Sequence, residues 1–485
     1  MKNKKKMKLT LLMIILLSFI ACSKHNKFAY NSVREEYPHL LCRENVSNSL
    51  TTFEGACSLN KPIFLTEAIN IAIKNNPDVQ MAYARINRTQ AMLDQANSLF
   101  MPYIGLYSSY MQGDAPSAYL FKKIDQRMLQ TNNFNDPGWF ENFESGGKVM
   151  VNLFNGGKNI IDKKKAKNGL EISILDKQSV ENELISSLTQ TYYDYFAAQE
   201  YIKISEESVE TVLAQLKVMK VKFEGGGALK SDILSLEVRL AEAKEEVVKS
   251  KNRLKMIHAA FANLIGVSPD TEITIIKEDI KSFKVPELYS EGMIYALENR
   301  PELESVKKQV VMARMEIESA KTQYLPKINL QGNYYYDDPD MQYSNSRKNW
   351  TVGFQMDWDL FTGFSTKAET KKALAMLEEA FGANRKVLLG IRLDVKNSYL
   401  KKEEAEERQK VAKQSVVMAE ESLSLVKKQY EGGSVSVTRY LEAELAKNTS
   451  MIRATASFYD REKSIADIAR AIGFLGKTFN QTLGK

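Results

Sequence analysis

The sequence predicts a mainly α-helical chain with a smaller β part, laid out as two tandem copies of one unit: helix, strand, strand, long helix, returning helix. Three observations predict it. Motifs recur at constant offsets, first of 224 and then of 207 residues. Apolar residues recur at every seventh position over long stretches, a coiled-coil spacing. Four short segments alternate apolar and polar residues, the period of a strand with two unlike faces.

The composition narrows the field further. With 485 residues, 44% hydrophobic, 26% charged and only 11 Pro and 24 Gly, the chain is not collagen-like, mucin-like or largely disordered. Three cysteines and three histidines are too few for a disulfide scaffold or a metal-rich enzyme. No apolar run reaches the roughly 18 residues of a membrane-spanning helix. Five of the seven excess positive charges are lysines within residues 1–21, so the rest of the chain is nearly balanced and offers no basic field for nucleic acid.

Residues 1–21 read as a secretory signal. Lys2, Lys4, Lys5, Lys6 and Lys8 form the basic region, and Leu9 to Ile20 the short apolar one. Ala21 before Cys22 resembles the lipobox of bacterial lipoproteins, with Phe19 where those usually carry Leu. The resemblance implies that Cys22 is acylated, with palmitate among the chains, and becomes the mature N-terminus. Ser23, rather than Asp, then implies passage to the outer membrane. The alternative is an ordinary signal cut nearby. Residues 22–60 are a polar tether, in which Cys42 and Cys57 are expected to pair in an oxidising compartment.

The first copy spans 61–267 and the second 285–476, joined by a connector at 268–284 and followed by a tail at 477–485. Leu65, Glu67, Ala68, Asn76 and Pro77 precede Tyr289, Glu291, Gly292, Arg300 and Pro301 by 224 residues. Leu153, Phe154, Gly156 and Tyr192 precede Leu360, Phe361, Gly363 and Tyr399 by 207. The change of offset places a 17-residue insertion in the first copy, between Pro102 and Leu153.

Helices are expected from Asp78 to about Leu99 and from Glu302 to about Tyr324, each after a proline. Long helices are expected over Lys158–Lys222 and Ser365–Gln429, and returning helices over Ser231–Ile265 and Thr438–Ile472. Leu184, Ala198, Ser205, Val212 and Met219 form one heptad seam, and Leu188, Tyr195, Ile202, Val209 and Leu216 another. A helix of about 65 residues reaches roughly 100 Å, and the returning helix covers about half of it. The helix after Pro77 or Pro301 would stack end to end on the returning helix and cover the rest.

Strands are expected at about 102–112, 147–155, 326–336 and 350–361. The last is the sharpest: Trp350, Val352, Phe354, Met356, Trp358 and Leu360 oppose Thr351, Gly353, Gln355, Asp357 and Asp359. Tyr334, Tyr336, Trp350 and Trp358 suit an interfacial aromatic girdle of a membrane barrel. Four strands cannot close a wet pore; twelve from three chains can. A soluble sheet packed on helices is the alternative.

With these features in place, residues 61–476 resemble the outer-membrane factor family, the TolC-like channel-tunnels. The resemblance rests on the tandem repeat, the strand pair inserted between helices and the turn pattern. That pattern is an aromatic residue, a glycine, a hydroxyl residue and an acid before two aliphatics. Here it reads Phe223, Gly226, Leu229 and Asp232, then Tyr430, Gly433, Ser436 and Arg439. The resemblance implies a homotrimer, a twelve-stranded barrel in the outer membrane and a helical tunnel in the periplasm. The connector would lie at the tunnel equator.

It also implies a passive export duct for efflux or type I secretion. Gly225, Gly226, Gly227, Gly432 and Gly433 would form the periplasmic tip and permit the positive φ that reverses a helix. There the tunnel would meet an adaptor, through residues such as Glu224 and Lys230, and an inner-membrane pump of RND, ABC or MFS type. Asp232, Arg439 and Glu442 are candidate gate residues, Arg439 pairing with Asp232 or Glu442 of a neighbouring helix. Alternatively Asp232 or Ser231 caps the returning helix, and Arg439 and Glu442 are solvated.

No catalytic constellation is visible and no cofactor is expected. His25, His39 and His258 are isolated, and no Lys-Ser/Thr pair follows the glycines in phosphate-loop register. The chain is therefore read as not an enzyme. The competing reading is a lipid-anchored coiled-coil scaffold or adhesin without a pore.

Overall fold

The computed structural model describes residues 62–130, 133, 135–277 and 285–474, together with Glu35 and Tyr37. The chain divides into two units, Met1–Lys61 and Pro62–Lys485, and every element below belongs to the second. The signal, Cys22, Cys42, Cys57, residues 278–284 of the connector and the tail lie outside the described residues.

Among the described residues the order is α1 (Leu65–Asn75), α2 (Pro77–Ser98), β1 (Tyr103–Gly113), α3 (Pro116–Asp125), β2 (Phe140–Asn155), α4 (Lys158–Glu224) and α5 (Lys230–Leu264). The second copy gives α6 (Tyr289–Asn299), α7 (Pro301–Lys321), β3 (Lys327–Asp338), β4 (Lys348–Asp357), α8 (Ser365–Glu431) and α9 (Val437–Ala471). Both long helices have 67 residues and both returning helices 35, so the copies match element for element. Among the α-helices and strands described, α3 is the one without a counterpart.

The seams bury as heptads require. Leu184, Leu188, Ala198, Ser205, Val212, Leu216 and Met219 of α4 are buried, while Tyr195, Ile202 and Val209 are half-buried. On α8 the small residues Ser398, Ala405 and Ala412 occupy the buried seam, where they permit close approach of backbones. Helices α1 and α6 add to the expected set. Their signal was present as Leu65, Ala68, Ile69 and Ala72, an i, i+3, i+4, i+7 stripe that is buried throughout.

The end-to-end stacking is built from side chains. Asn76 caps α2 by accepting from Asp78 N at 2.8 Å, and its Nδ2 donates to Leu264 O at the end of α5 at 3.0 Å. In the second copy Arg300 Nη1 donates to Ala471 O at 2.9 Å. The connector is held at mid-length of the long helix: Ile63 pairs with Ile275, and Tyr192 Oη donates to Ile276 O at 2.9 Å. Tyr399, the counterpart of Tyr192, donates to Pro286 O at 2.8 Å.

The four strands form one antiparallel sheet in the order β1-β2-β3-β4. β2 begins at Phe140, seven residues before the expected start, because the full length of β1 pairs with it down to Gly113↔Phe140. β4 ends at Asp357, paired with Lys327. Trp358 and Leu360 therefore lie beyond the sheet and not in the strand expected over 350–361. The residue next in line, Pro326, has no N–H to continue the ladder. Trp358 instead donates its indole N–H to Tyr324 O at 3.0 Å.

Candidate functional site

Register sorts the sheet into two faces. Leu106, Gly147, Tyr334 and Trp350 form one cross-strand row, and Ile104, Val149, Gly332 and Val352 the next. The row beyond holds Val151, Leu330 and Phe354. On the other face Tyr107, Gly146, Tyr335 and Asn349 align, followed by Gly105, Lys148, Asn333 and Thr351. The apolar face is not covered by the chain's own helices: Leu106 is 90% exposed, Phe354 74% and Trp350 71%. A contiguous apolar face of this kind marks a surface meant for something other than water. Among the described residues the outer strands β1 and β4 have no partner on their free edges.

The aromatic residues fall at two rims. Tyr334 and Tyr336 meet edge to face at 6.0 Å, Tyr336 meets Tyr343 at 6.2 Å, and Trp350 pairs with Tyr334. Trp358 sits at the opposite rim, nearest the helices, with exposed Tyr103, Tyr324, Phe361 and Phe364. Eight residues separate Trp350 from Trp358. At about 3.3 Å per residue and a tilt of about 40° they span roughly 20 Å, close to the ~25 Å apolar band of an outer-membrane barrel.

The helix turns form the second region. Gly226 (φ 76°) and Gly433 (φ 74°) adopt the left-handed conformation, whereas Gly225 and Gly432 have φ of −82° and −79°. One left-handed residue per turn suffices, because the next N–H closes the helix end: Gly227 N donates to Lys222 O and Ser434 N to Gln429 O, both at 2.8 Å. Above the turns Tyr430 stacks on Tyr440 at 5.4 Å, with Lys222 Nζ over the Tyr430 ring. Burial pushes the Tyr430 phenol above its ordinary pKa, and the Asp232 charge adds to this. Its counterpart Phe223 stays exposed.

The returning helices begin with two halves of one capping box. Asp232 accepts from Leu229 N at 3.3 Å, and Ser436 Oγ accepts from Arg439 N at 3.4 Å. A capping box needs a hydroxyl at the cap and an acid three residues on. The first copy keeps the acid and the second the hydroxyl. Ser231 lies inside α5 and is not the cap. Within one chain Arg439 pairs with Glu442 of its own helix at 3.3 Å, both well exposed. Glu224 and Lys230 flank the first turn, exposed.

The strongest polar link near the turns involves residues that sequence reasoning did not single out. Glu444 of α9, 2% exposed, accepts from Ser208 Oγ of α4 at 2.8 Å and meets Arg239 Nη2 of α5 at 3.3 Å. Asn448 completes its shell. This carboxylate ties the second hairpin to both helices of the first.

Comparison with known proteins agrees with this geometry. The Pseudomonas aeruginosa pyoverdine export outer membrane protein OpmQ is 19% identical over 381 residues, 78% of each chain. The alkaline protease secretion protein AprF of the same species is 23% identical over 42% of this chain and 43% of its own. The fold matches the Campylobacter jejuni CmeC outer membrane channel with a TM-score of 0.75, at 19% identity over 84% of this chain and 85% of that one. Residues 68–267 and 295–473, the two copies, both match the family described as outer membrane efflux protein, and the chain belongs to that family.

Proposed function

We propose that three copies of the chain close a twelve-stranded barrel in the outer membrane above a helical tunnel in the periplasm. In this reading the apolar sheet face meets lipid, the polar face lines water, and the two hairpins wall the tunnel. The duct is passive. Export energy comes from an inner-membrane pump of RND, ABC or MFS type, coupled by an adaptor that docks on the turns at Gly225–Gly227 and Gly432–Gly433. Acylated Cys22 anchors the N-terminus, and Cys42 pairs with Cys57.

The carrying observation is the open four-stranded sheet whose edges are unpaired among the described residues and whose apolar face is largely exposed. Unpaired edges in lipid are not tolerated, so the sheet must close with copies of itself. Four strands are too few, and an eight-stranded interior is filled by side chains. The scaffold reading leaves the apolar face unexplained.

Native mass spectrometry of the detergent-extracted chain tests the count: a trimer is expected, and a monomer overturns the barrel. A photo-cross-linker at Lys230 in living cells tests the adaptor. Recovery of a periplasmic adaptor is the expected result, and its absence from a well-expressed trimer removes the docking site.

A further inference from the structure

The two strand connections differ in length by the 17-residue insertion: 114–139 joins β1 to β2, whereas 339–347 joins β3 to β4. The extra chain does not extend the hairpin. It folds α3 back onto the polar face of the sheet, at the end farthest from the long helices. Lys122 Nζ lies 2.8 Å from Glu144 Oε2 and 3.0 Å from Asp337 Oδ1. Asp337 is fully buried and also accepts from Asn142 Nδ2 at 2.6 Å and Asn349 Nδ2 at 3.1 Å. Just past α3, Gln126 donates to Asn142 Oδ1 at 2.8 Å, and Arg127 donates to Asn349 Oδ1 at 3.0 Å. Tyr107 of β1 completes the set through Glu144 Oε1 at 3.0 Å. Residues 122–127 are thereby tied directly to β2, β3 and β4, and through Glu144 to β1. Burial opposes the Lys122 charge, but its bonds to Glu144 and Asp337 hold its pKa above the ordinary lysine value.

We propose that α3 is an inward-folded lid that narrows the outer mouth of the pore, three copies meeting on the threefold axis. The inference rests on the trimeric barrel. Its direction comes from register: Glu144, Asp337 and Asn349 belong to the polar face, opposite the exposed Leu106, Val352 and Phe354. Its size comes from geometry. Twelve strands about 4.8 Å apart, tilted about 40°, close a ring roughly 24 Å across between backbones. A helix about 10 Å wide laid on the inner wall of each copy takes up most of that opening once the inward side chains of the strands are counted. Each copy leaves Phe121 and Ile124 exposed on the side away from the sheet. The occupant of that apolar edge is the same helix of a neighbouring copy.

The test uses the full chain in outer membranes of intact cells. Thr351→Cys places a thiol on the polar face beneath α3, and Val352→Cys a control on the apolar face. Both are labelled from outside with a bulky membrane-impermeant maleimide, against the unsubstituted chain as background for its three native cysteines. In a second form, residues 114–139 are replaced by 339–347, a connection this chain already folds. A lid folded down nine-tenths of the time slows Thr351→Cys labelling about tenfold, and the short loop restores the rate. Lys122→Met raises it part of the way. Equal rates with both loops, with Thr351→Cys labelled, overturn the lid and leave the barrel standing. No labelling of Thr351→Cys with either loop overturns the barrel, and the lid with it. Phe121→Cys treated with a short bis-maleimide is expected to give covalent dimers; monomer alone overturns the meeting of copies.

Discussion

Asn76 and Arg300 stand at the same place in the two copies, and each donates to the last carbonyl of its own returning helix, Leu264 O at 3.0 Å and Ala471 O at 2.9 Å. The ends of α5 and α9 are thereby joined to the starts of α2 and α7, and a broken helix pair lies along an unbroken partner of 67 residues. Carbonyls at a helix end have no partner within the helix, so this splice satisfies groups that would otherwise be buried unpaired.

The splice is tight enough to fix Gly266. It sits at φ 79°, and an added Cβ would come within 2.6 Å of Asn75 O. Gly226 has a similar φ of 76° with open space around it. Gly226→Ala therefore meets backbone strain alone, about 1 kcal/mol. Gly266→Ala adds overpacking against backbone, for a total of about 2–4 kcal/mol. Thermal unfolding of the two variants in detergent should separate them clearly; equal losses would mean that the joint at Asn75 yields freely.

In the second copy the splice carries charge. Asp394 of α8 is held by Arg470 Nη2 at 2.8 Å and Arg300 Nη1 at 2.8 Å. Burial raises its pKa, but the two guanidinium hydrogen bonds outweigh burial and bring it below the ordinary carboxylate value. A depressed folded pKa gives stability that is present above the unfolded pKa, about 4, and lost as pH falls through the folded one. Asp394→Asn should lower the melting temperature at pH 7, and the difference should start to shrink as pH falls past the unfolded pKa, about 4, and vanish only below the folded one. A constant difference down to pH 3 would show that the pair does not titrate with folding.

Much of this was legible in the sequence because it is local. The heptad seams and the glycine turns are patterns within tens of residues, the repeat shows as a constant offset, and the long and returning helices fall within two residues of their expected bounds. The first half of β2 was not legible. Glu141, Asn142, Glu144, Ser145, Gly146 and Gly147 have poor strand propensity and are held by pairing with β1 and β3. Arg239 and Glu444 look like any other helix charges in sequence. Their link becomes visible only when helices 205 residues apart are packed together.

The split capping box can be repaired. Leu229 precedes α5 and is 67% exposed, so its side chain contributes little packing. Asp232 already supplies the returning half of the box. Leu229→Ser should give the Asp232 N–H, which already donates to Leu229 O at 3.1 Å, the side-chain acceptor the box lacks, and stabilise the turn by about 0.5–1 kcal/mol. Hydrogen exchange at the start of α5 should slow. Unchanged exchange would indicate that the turn is already fully held by its neighbours.

Near the turns, burial separates two ion pairs that look alike in sequence. Arg439–Glu442 is exposed and lies along one helix, so loss of that pair in Arg439→Asp costs less than about 0.5 kcal/mol, and the new acid completes the capping box with Ser436. Glu444→Ala removes a buried carboxylate from Arg239 and Ser208, at a cost of about 3–5 kcal/mol. Because Glu444 links the two hairpins, its loss should also raise leak conductance in planar bilayers, with Arg439→Asp unchanged. The reverse order would make Arg439, and not Glu444, the residue that holds the turns closed.

The two faces of β4 give the sharpest contrast at neighbouring positions. Val352 and Thr351 differ by one residue, share the same backbone pairing and lie on opposite sides of the sheet. If the apolar face meets lipid, an arginine at Val352, about a quarter of the way from the Trp350 rim to the Trp358 rim, loses part of its hydration, at a cost of about 1–2 kcal/mol. An arginine at Thr351 points into water beside Asn333, and its expected cost is close to zero. Val352→Arg should therefore lower the yield of assembled protein in the outer membrane, whereas Thr351→Arg should assemble normally and shift ion selectivity toward anions. Equal tolerance at both positions would mean that neither face of the sheet touches lipid.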